Sequence, residues 1–399
     1  MSDDPPVRSS TDAELKDRRV CVIYDCLFPL THGGAERWYR FLVDRLVESE
    51  AAVTYLTRRQ WRNGAPSWTG VDVVAVSPEG QLYDADGIRR TSPAITFGVG
   101  TFFWMLRHRR SFDSVVIASF PFFSFLAARL ALVGTKTPIL VDYHEVWSRD
   151  YWTSYAGRVR GTVGFWLQRL CVHQTRYAQV FTEEGKSRLQ LQGCRGDIVV
   201  LAGLLPAPND SRVVSTRVPE VPTILYVGRH VRHKGVRLLP QIADVVRSRV
   251  PDVHFVIASD GPERLAVEAD VAHRGLNDVV SFTGAISEED LLSTYANASC
   301  TVVPSLREGY GIVVAESVGS GTPVVVANNP ENLSTSLVDN GVNGYVVEPS
   351  VEGMAEGVLS VLRGGETLRR TCAQWSAQHS ASMGMAKSAD EMVTRLARL

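Results

Sequence analysis

Two glutamates, Glu308 and Glu316, stand eight positions apart in Ser305-Leu306-Arg307-Glu308-Gly309-Tyr310-Gly311-Ile312-Val313-Val314-Ala315-Glu316. The run follows Cys300–Val303, a β-branched stretch that reads as a buried strand, and leads into a helix starting near Gly311. Gly309 and Gly311 let the backbone come close to a ligand, and a helix N-terminus offers free N–H groups with partial positive charge. That combination suits a diphosphate. Glu316 lies five residues into the helix, about 7.5 Å along its axis at about 1.5 Å per residue. This is close to the separation of a diphosphate from the ribose of the same nucleotide, and a carboxylate there can accept hydrogen bonds from both ribose hydroxyls. Spacing alone favours two surface charges. The glycine-rich strand–loop–helix setting is what favours a site.

A second segment, Tyr226-Val227-Gly228-Arg229-His230-Val231-Arg232-His233-Lys234-Gly235, begins at the C-terminal end of the strand Ile224–Val227. Cations held there are well placed over a cleft beyond the sheet, whereas a solvated basic loop would not explain a cluster that begins at a strand end. Nearer the N-terminus, Pro29-Leu30-Thr31-His32-Gly33-Gly34-Ala35-Glu36-Arg37 follows the strand Val20–Tyr24 and precedes a helix with Trp38, Phe41 and Leu42 at core spacing. The pair Gly33 and Gly34 permits close approach of phosphate or sugar. Val141-Asp142-Tyr143-His144-Glu145-Val146-Trp147 puts His144 at the end of the strand Ile139–Val141, either as a ligand contact or as a satisfied structural histidine. Asp142 and Glu145 could orient it or contact an acceptor.

The elements that must position these residues are short β-branched runs separated by helical periods. They are Val20–Tyr24, Val53–Thr57, Val71–Val76, Ser114–Ala118, Ile139–Val141, Val180–Thr182 and Ile198–Val200 in one half. In the other half they are Ile224–Val227, His254–Ala258, Val279–Phe282, Cys300–Val303, Val324–Val326 and Gly344–Val347. Continuous apolar strands alternating with helices predict parallel sheets covered on both faces, an α/β fold of two doubly wound domains. The prolines and polar residues of 206–222 read as a linker between a domain over 19–205 and one over 223–384, and residues 1–18 as a disordered leader. In such sheets ligands bind beyond the carboxyl ends of the strands, which predicts a site in the cleft between the halves.

Bulk composition narrows the class. Hydrophobic residues make up 45% and charged residues 21%, as in soluble globular proteins, and the formal net charge of −1 argues against a nucleic-acid partner. Six dispersed cysteines without a Cys-x-x-Cys pair read as reduced thiols. The apolar stretch from Val115 to Val133 contains Pro121 and Arg129 and reads as a core strand leading into a helix rather than a membrane span, which predicts a cytoplasmic protein.

The Glu308/Glu316 pair in its Glu-Gly-Tyr-Gly setting resembles glycosyltransferase family 4, whose mark is two glutamates separated by seven residues. Gly33-Gly34-Ala35-Glu36, Arg229 and Lys234 match the family as well, and the resemblance covers nearly the whole chain after Arg18. It implies a GT-B fold of two Rossmann-like domains, with the last helix, 385–399, crossing back onto the first. It implies that Glu308 contacts donor-sugar hydroxyls, Glu316 holds the ribose, Arg229 and Lys234 bind the diphosphate, and His144 contacts the donor sugar. Gly33, Gly34, Gly309, Tyr310, Gly311 and Ile312 then frame the donor, and Phe282-Thr283-Gly284-Ala285-Ile286 lies beside the base. The implied reaction moves a sugar from a nucleotide donor to an unidentified acceptor hydroxyl with retention, using no cofactor and no metal ion. No Asp-x-Asp stands out on a loop that would hold one.

Two departures stand out: Ser259 where the family's Gly-Asp-Gly-Pro turn has glycine, and Asn328-Asn329-Pro330-Glu331-Asn332 where paired glycines are common. The nucleotide is therefore not assigned. A sugar-nucleotide 2-epimerase and a non-catalytic sugar-nucleotide-binding protein share the fold and remain as alternatives. The acceptor is a soluble small molecule or a lipid-linked glycan. Segments 101–110 and 151–176 mix aromatics with arginines, which suits either peripheral membrane contact or a core with solvated cations.

Overall fold

A computed structural model describes residues 15–31, 33–83, 88–206 and 216–399. Contacts divide the chain into two compact units. The first comprises residues up to Leu82, Arg89–Gly203 and Met385–Leu399; the second comprises Tyr83–Ile88 and Leu204–Gly384.

The first unit holds a parallel sheet of seven strands: β1 (Arg19–Ile23), β2 (Ala52–Arg58), β3 (Val71–Ser77), β4 (Ser114–Ala118), β5 (Ile139–Asp142), β6 (Tyr177–Val180) and β7 (Asp197–Val200). Their order is β3-β2-β1-β4-β5-β6-β7. Its helices are α1 (Gly34–Glu48), α2 (Thr91–Arg107), α3 (Phe122–Ala131), α4 (Arg149–Ala156), α5 (Arg158–Gln174) and α6 (Glu183–Leu191). Parallel crossovers are right-handed, so the direction of each step along the sheet decides which face its helix covers. The step β1 to β2 runs one way, and the steps β3 to β4, β4 to β5 and β5 to β6 run the other. Helix α1 therefore covers one face, and α2, α3 and α5 cover the opposite one.

The second unit repeats the plan with six parallel strands in the order β10-β9-β8-β11-β12-β13. These are β8 (Thr223–Val227), β9 (His254–Ala258), β10 (Val280–Gly284), β11 (Cys300–Val303), β12 (Val324–Ala327) and β13 (Gly344–Val347). Helices α7 (Leu239–Arg247), α8 (Arg264–His273), α9 (Glu288–Ala296), α10 (Ile312–Gly319) and α11 (Val351–His379) complete it. The strand order reverses between the neighbours β8 and β11, and at such a switch point the loops after the two strands part and leave a crevice. The two segments of this unit with phosphate chemistry leave these two strands.

The last helix, α12 (Met385–Ala397), belongs to the first unit. Asp390 accepts from Arg45 Nε at 2.6 Å, Arg395 Nη2 donates to Asp197 at 2.7 Å, and Ser388 Oγ donates to the Gly203 carbonyl at 2.6 Å.

Two expectations shift. The run Val180–Thr182 is strand only through Val180, because the Thr182 hydroxyl accepts from the Gly185 N–H at 3.0 Å and caps α6 instead. The expected leader is shorter than 1–18. Leu15 is buried and the Arg18 carbonyl accepts from Ala52 N–H at 2.9 Å, while residues 1–14 lie outside the described residues. One apolar residue in a polar stretch carries little periodic signal, yet it buries its side chain in full. Of the expected linker, 207–215 also lies outside the described residues. The stretch 115–133 forms β4 and α3, and no helix among the described residues is long and apolar enough to cross a membrane.

Candidate active site

In the second unit the loops after β8 and β11 are fastened to each other before any side chain reaches across. Gly235 has φ 70°, and a Cβ on it would stand 2.1 Å from the Pro304 carbonyl oxygen. Only glycine allows that left-handed backbone to lie against the β11 exit. Leu306 N–H then donates to the His233 carbonyl at 2.8 Å. The consequence is that Lys234, one residue before the glycine, meets Glu308, with Nζ 2.7 and 2.8 Å from the two carboxylate oxygens. Ser305 Oγ donates to the same carboxylate at 2.8 Å. An ammonium has three N–H bonds, so with two directed at Glu308 a third remains for a ligand oxygen.

Glu308 is also held through its backbone. Its N–H donates to the Glu331 carbonyl at 3.1 Å and its carbonyl accepts from Leu333 N–H at 2.9 Å. Asn332, buried between these contacts, donates to the carbonyls of Ser305 (3.2 Å) and Ala327 (2.9 Å) and accepts from Ser334 Oγ at 2.6 Å. The unusual Asn328–Asn332 segment thus braces the glutamate loop. Sequence reading flagged the segment but missed this role, along with those of Ser305, His233 and Tyr295.

Gly311 caps α10 with φ 92°, and a Cβ there would come within 2.1 Å of the Ser334 Cβ. Helix α10 therefore begins at Ile312, with the N–H groups of its first turn available at the switch point. Glu316 is 8% exposed and accepts from the Tyr295 hydroxyl at 2.9 Å, which fixes one carboxylate oxygen. Tyr310 is buried, with its hydroxyl accepting from Leu204 N–H at 2.9 Å, so its polar end is engaged inside the unit. Arg229 is exposed, and its carbonyl accepts from the Tyr226 hydroxyl at 3.3 Å.

His233 sits amid this charge. Burial first, then the cations Arg307, Lys234 and Arg229, push its pKa from 6.5 down to about 2. The unfolded chain takes up that proton as pH falls through 6.5 while the folded chain does not, so stability present at neutral pH drains away on acidification. Between neutrality and about pH 5 this removes about 2 kcal/mol, and His233→Gln should flatten that part of the acid profile. Urea melts of both proteins at the two pH values check it.

Ser259 occupies a left-handed conformation with φ 86°, which explains why glycine is usual at this turn. A side chain there costs about 1 kcal/mol, so Ser259→Gly should raise stability by about that amount, read as a higher urea midpoint at unchanged slope.

In the first unit, α1 starts at Gly34 after an extended Gly33 (φ 178°), which places its first N–H groups beyond β1. A Cβ on Gly33 would meet only the end of the Glu36 side chain, at 2.3 Å. His144 lies beyond β5, its ring stacked on Phe181 (5.4 Å between centroids) and edge-on to Tyr39 (5.7 Å). Its Nε2 is 3.5 Å from Asp142 Oδ2, and that oxygen accepts from Trp38 Nε1 at 2.8 Å. Of the two acids considered as partners, Asp142 is the one beside the histidine; Glu145 accepts from Trp147 Nε1 at 2.7 Å. Burial raises the Asp142 pKa, with His144 opposing the shift.

Among the described residues no group of three His, Cys, Asp or Glu side chains is placed to hold a metal ion. Against the expectation of none, the sequence does contain one Asp-x-Asp, Asp84-Ala85-Asp86, which lies outside the described residues.

Comparison with known families matches residues 209–377 to glycosyl transferases group 1 and residues 33–202 to the glycosyl transferase 4-like domain. This chain is a glycosyltransferase of that family. The enzyme is 27% identical over 316 residues to an α-D-kanosaminyltransferase of Streptomyces kanamyceticus, a match covering 73% of the chain and 80% of the relative. Over 170 residues it is 28% identical to a D-inositol 3-phosphate glycosyltransferase of an Arthrobacter strain, covering 42% of the chain but only 40% of that relative. Among solved structures, sucrose-phosphate synthase from Thermosynechococcus elongatus superposes with a TM-score of 0.79 at 19% identity, over 96% of this chain and 98% of the other. HepE of Anabaena, solved with UDP and glucose, gives 0.69 at 15% identity, over 96% and 100%. These likenesses give the glycosyltransferase the GT-B fold.

Proposed function

We propose that the enzyme transfers a sugar from a nucleoside-diphosphate sugar to an acceptor hydroxyl, with retention of anomeric configuration and without a metal ion. The observation that carries this reading is the Lys234–Glu308 pair at the switch point, beside the glycine-framed start of α10. The α10 N-terminus and Lys234 suit the diphosphate, Glu316 the ribose, and Glu308 a sugar hydroxyl. As the glycosidic bond breaks, its electron pair passes to the β-phosphate oxygen. Lys234 and Arg229 are the cations suited to that charge. The departing oxygen can accept the acceptor's proton as its hydroxyl attacks the anomeric carbon from the same face. No carboxylate nucleophile is then required. The neighbour solved with UDP and glucose and the kanosaminyltransferase are consistent with such a donor.

NMR of the fresh product reads the anomeric configuration: the donor's configuration is expected, and an inverted product would reject the front-face route. Activity should persist in excess EDTA. Abolition with rescue by Mg²⁺ or Mn²⁺ would reject metal independence.

A further inference from the structure

The first unit carries a surface that holds none of the residues assigned above to donor binding or transfer. Helix α2 buries Ala94, Phe97, Thr101 and Met105 against the core, yet Ile95, Val99, Phe103 and Leu106 are exposed on its other side, spaced by four, four and three. Helix α5 repeats this. It buries Gly161, Gln168, Cys171 and Val172 while Val159, Val163, Trp166 and Leu170 face outward, spaced by four, three and four. These are helical periods, so each stripe is continuous along its helix. Phe103 is 65% exposed, Val159 79%, Val163 63% and Trp166 53%. Both helices cover the same face of the sheet, with α3 packed against each and adding the exposed Leu130 and Val133 at its end. Two helices that flank α3, each with a second apolar stripe, need a second apolar environment.

The charge on these three helices says which. Helices α2, α3 and α5 contain no Asp or Glu, and they carry Arg107, Arg129, Arg158, Arg160 and Arg169. Four of these arginines are exposed, and Arg169 lies 5.4 Å over the Trp166 ring. A second copy docking about a two-fold axis would set this face against itself, cation against cation. Of the aromatics in 151–176, Tyr151, Trp152, Tyr155 and Phe165 pack with the core of the unit, which leaves the outward stripes as the contact.

We propose that the outer face of α2, α3 and α5 docks on an anionic lipid bilayer, the apolar stripes entering the headgroup–acyl boundary while the arginines pair with lipid phosphates. Such docking would bring the first unit to a lipid-linked acceptor. It is independent of the donor chemistry.

Co-sedimentation with equimolar phosphatidylglycerol–phosphatidylcholine vesicles tests it. The protein should pellet at low salt and be released at high salt, and it should bind pure phosphatidylcholine far more weakly. Each arginine lost should cost about 5-fold in vesicle affinity, so Arg158→Glu/Arg160→Glu should lose at least about 20-fold. Val163→Ser/Trp166→Ser should lose vesicle binding as well, and both variants should keep the wild-type melting temperature and rate of donor hydrolysis. Wild-type protein that stays in the supernatant at low salt, or variants that bind as wild type, would overturn the proposal. So would a dimer, seen by sedimentation velocity, that Val163→Ser/Trp166→Ser dissociates while vesicle binding is absent: the face would then be a protein interface.

Discussion

Lys234→Met is expected to lower turnover at saturating donor by about 10²–10³-fold, the loss seen when one preorganised donor to a developing oxyanion is removed. The ground-state diphosphate is already charged, but the bridging oxygen gains its charge only as the bond breaks, so the penalty falls mainly on turnover rather than on donor affinity. The structure adds a complication that the sequence did not show. Lys234 is paired with Glu308, whose side chain is 11% exposed, and removing the cation strands that carboxylate with Ser305 as its hydrogen-bond donor. Lys234→Met should therefore also cost about 3 kcal/mol of stability. The double variant Lys234→Met/Glu308→Gln separates the two effects. It should recover most of the stability, because the unpaired charge is gone, and none of the turnover. Urea melts and single-turnover rates on the four proteins of the cycle give both numbers. Near-normal turnover in Lys234→Met would remove the lysine from the leaving-group role.

Glu316→Gln should weaken binding of the free nucleoside diphosphate by about 100-fold, as two charge-assisted hydrogen bonds to the ribose become weaker neutral ones. The substitution keeps the shape of a nearly buried side chain, so packing around α10 should hardly change. Tyr295→Phe makes a graded companion. It deletes the hydroxyl that fixes one carboxylate oxygen at 2.9 Å while leaving the charge in place, and the expected loss is about 10-fold or less. Isothermal titration calorimetry with UDP, GDP and ADP measures both variants and identifies the base. Unchanged affinity in Glu316→Gln would end the ribose assignment.

The sequence by itself determined the strands and where chemistry would leave them. Runs such as Ser114–Ala118 and Cys300–Val303 are buried on both faces, so apolarity and β-branching reveal them without any partner in view. The glutamate loop was legible for the same reason, since a strand, a glycine-rich turn and a helix start are all local features. Thr182 misled because its side chain serves the next helix as a cap, and one threonine suits a strand end and an N-cap alike.

What needed the tertiary structure was every relation between distant segments. The meeting of Lys234 with Glu308 depends on β8 and β11 being neighbours and on Gly235 lying against Pro304, contacts across some seventy residues that leave no period in the chain. Asn332 looked like a loop residue until its amide was seen to brace that glutamate. The stripes of α2 and α5 were ambiguous for a related reason. Their apolar residues run around both sides of the helix, and periodicity does not say which side the sheet covers. Packing in the folded unit decides that: it buries Phe97 and Met105 of α2 and Cys171 and Val172 of α5, and leaves Phe103 and Trp166 on the outside.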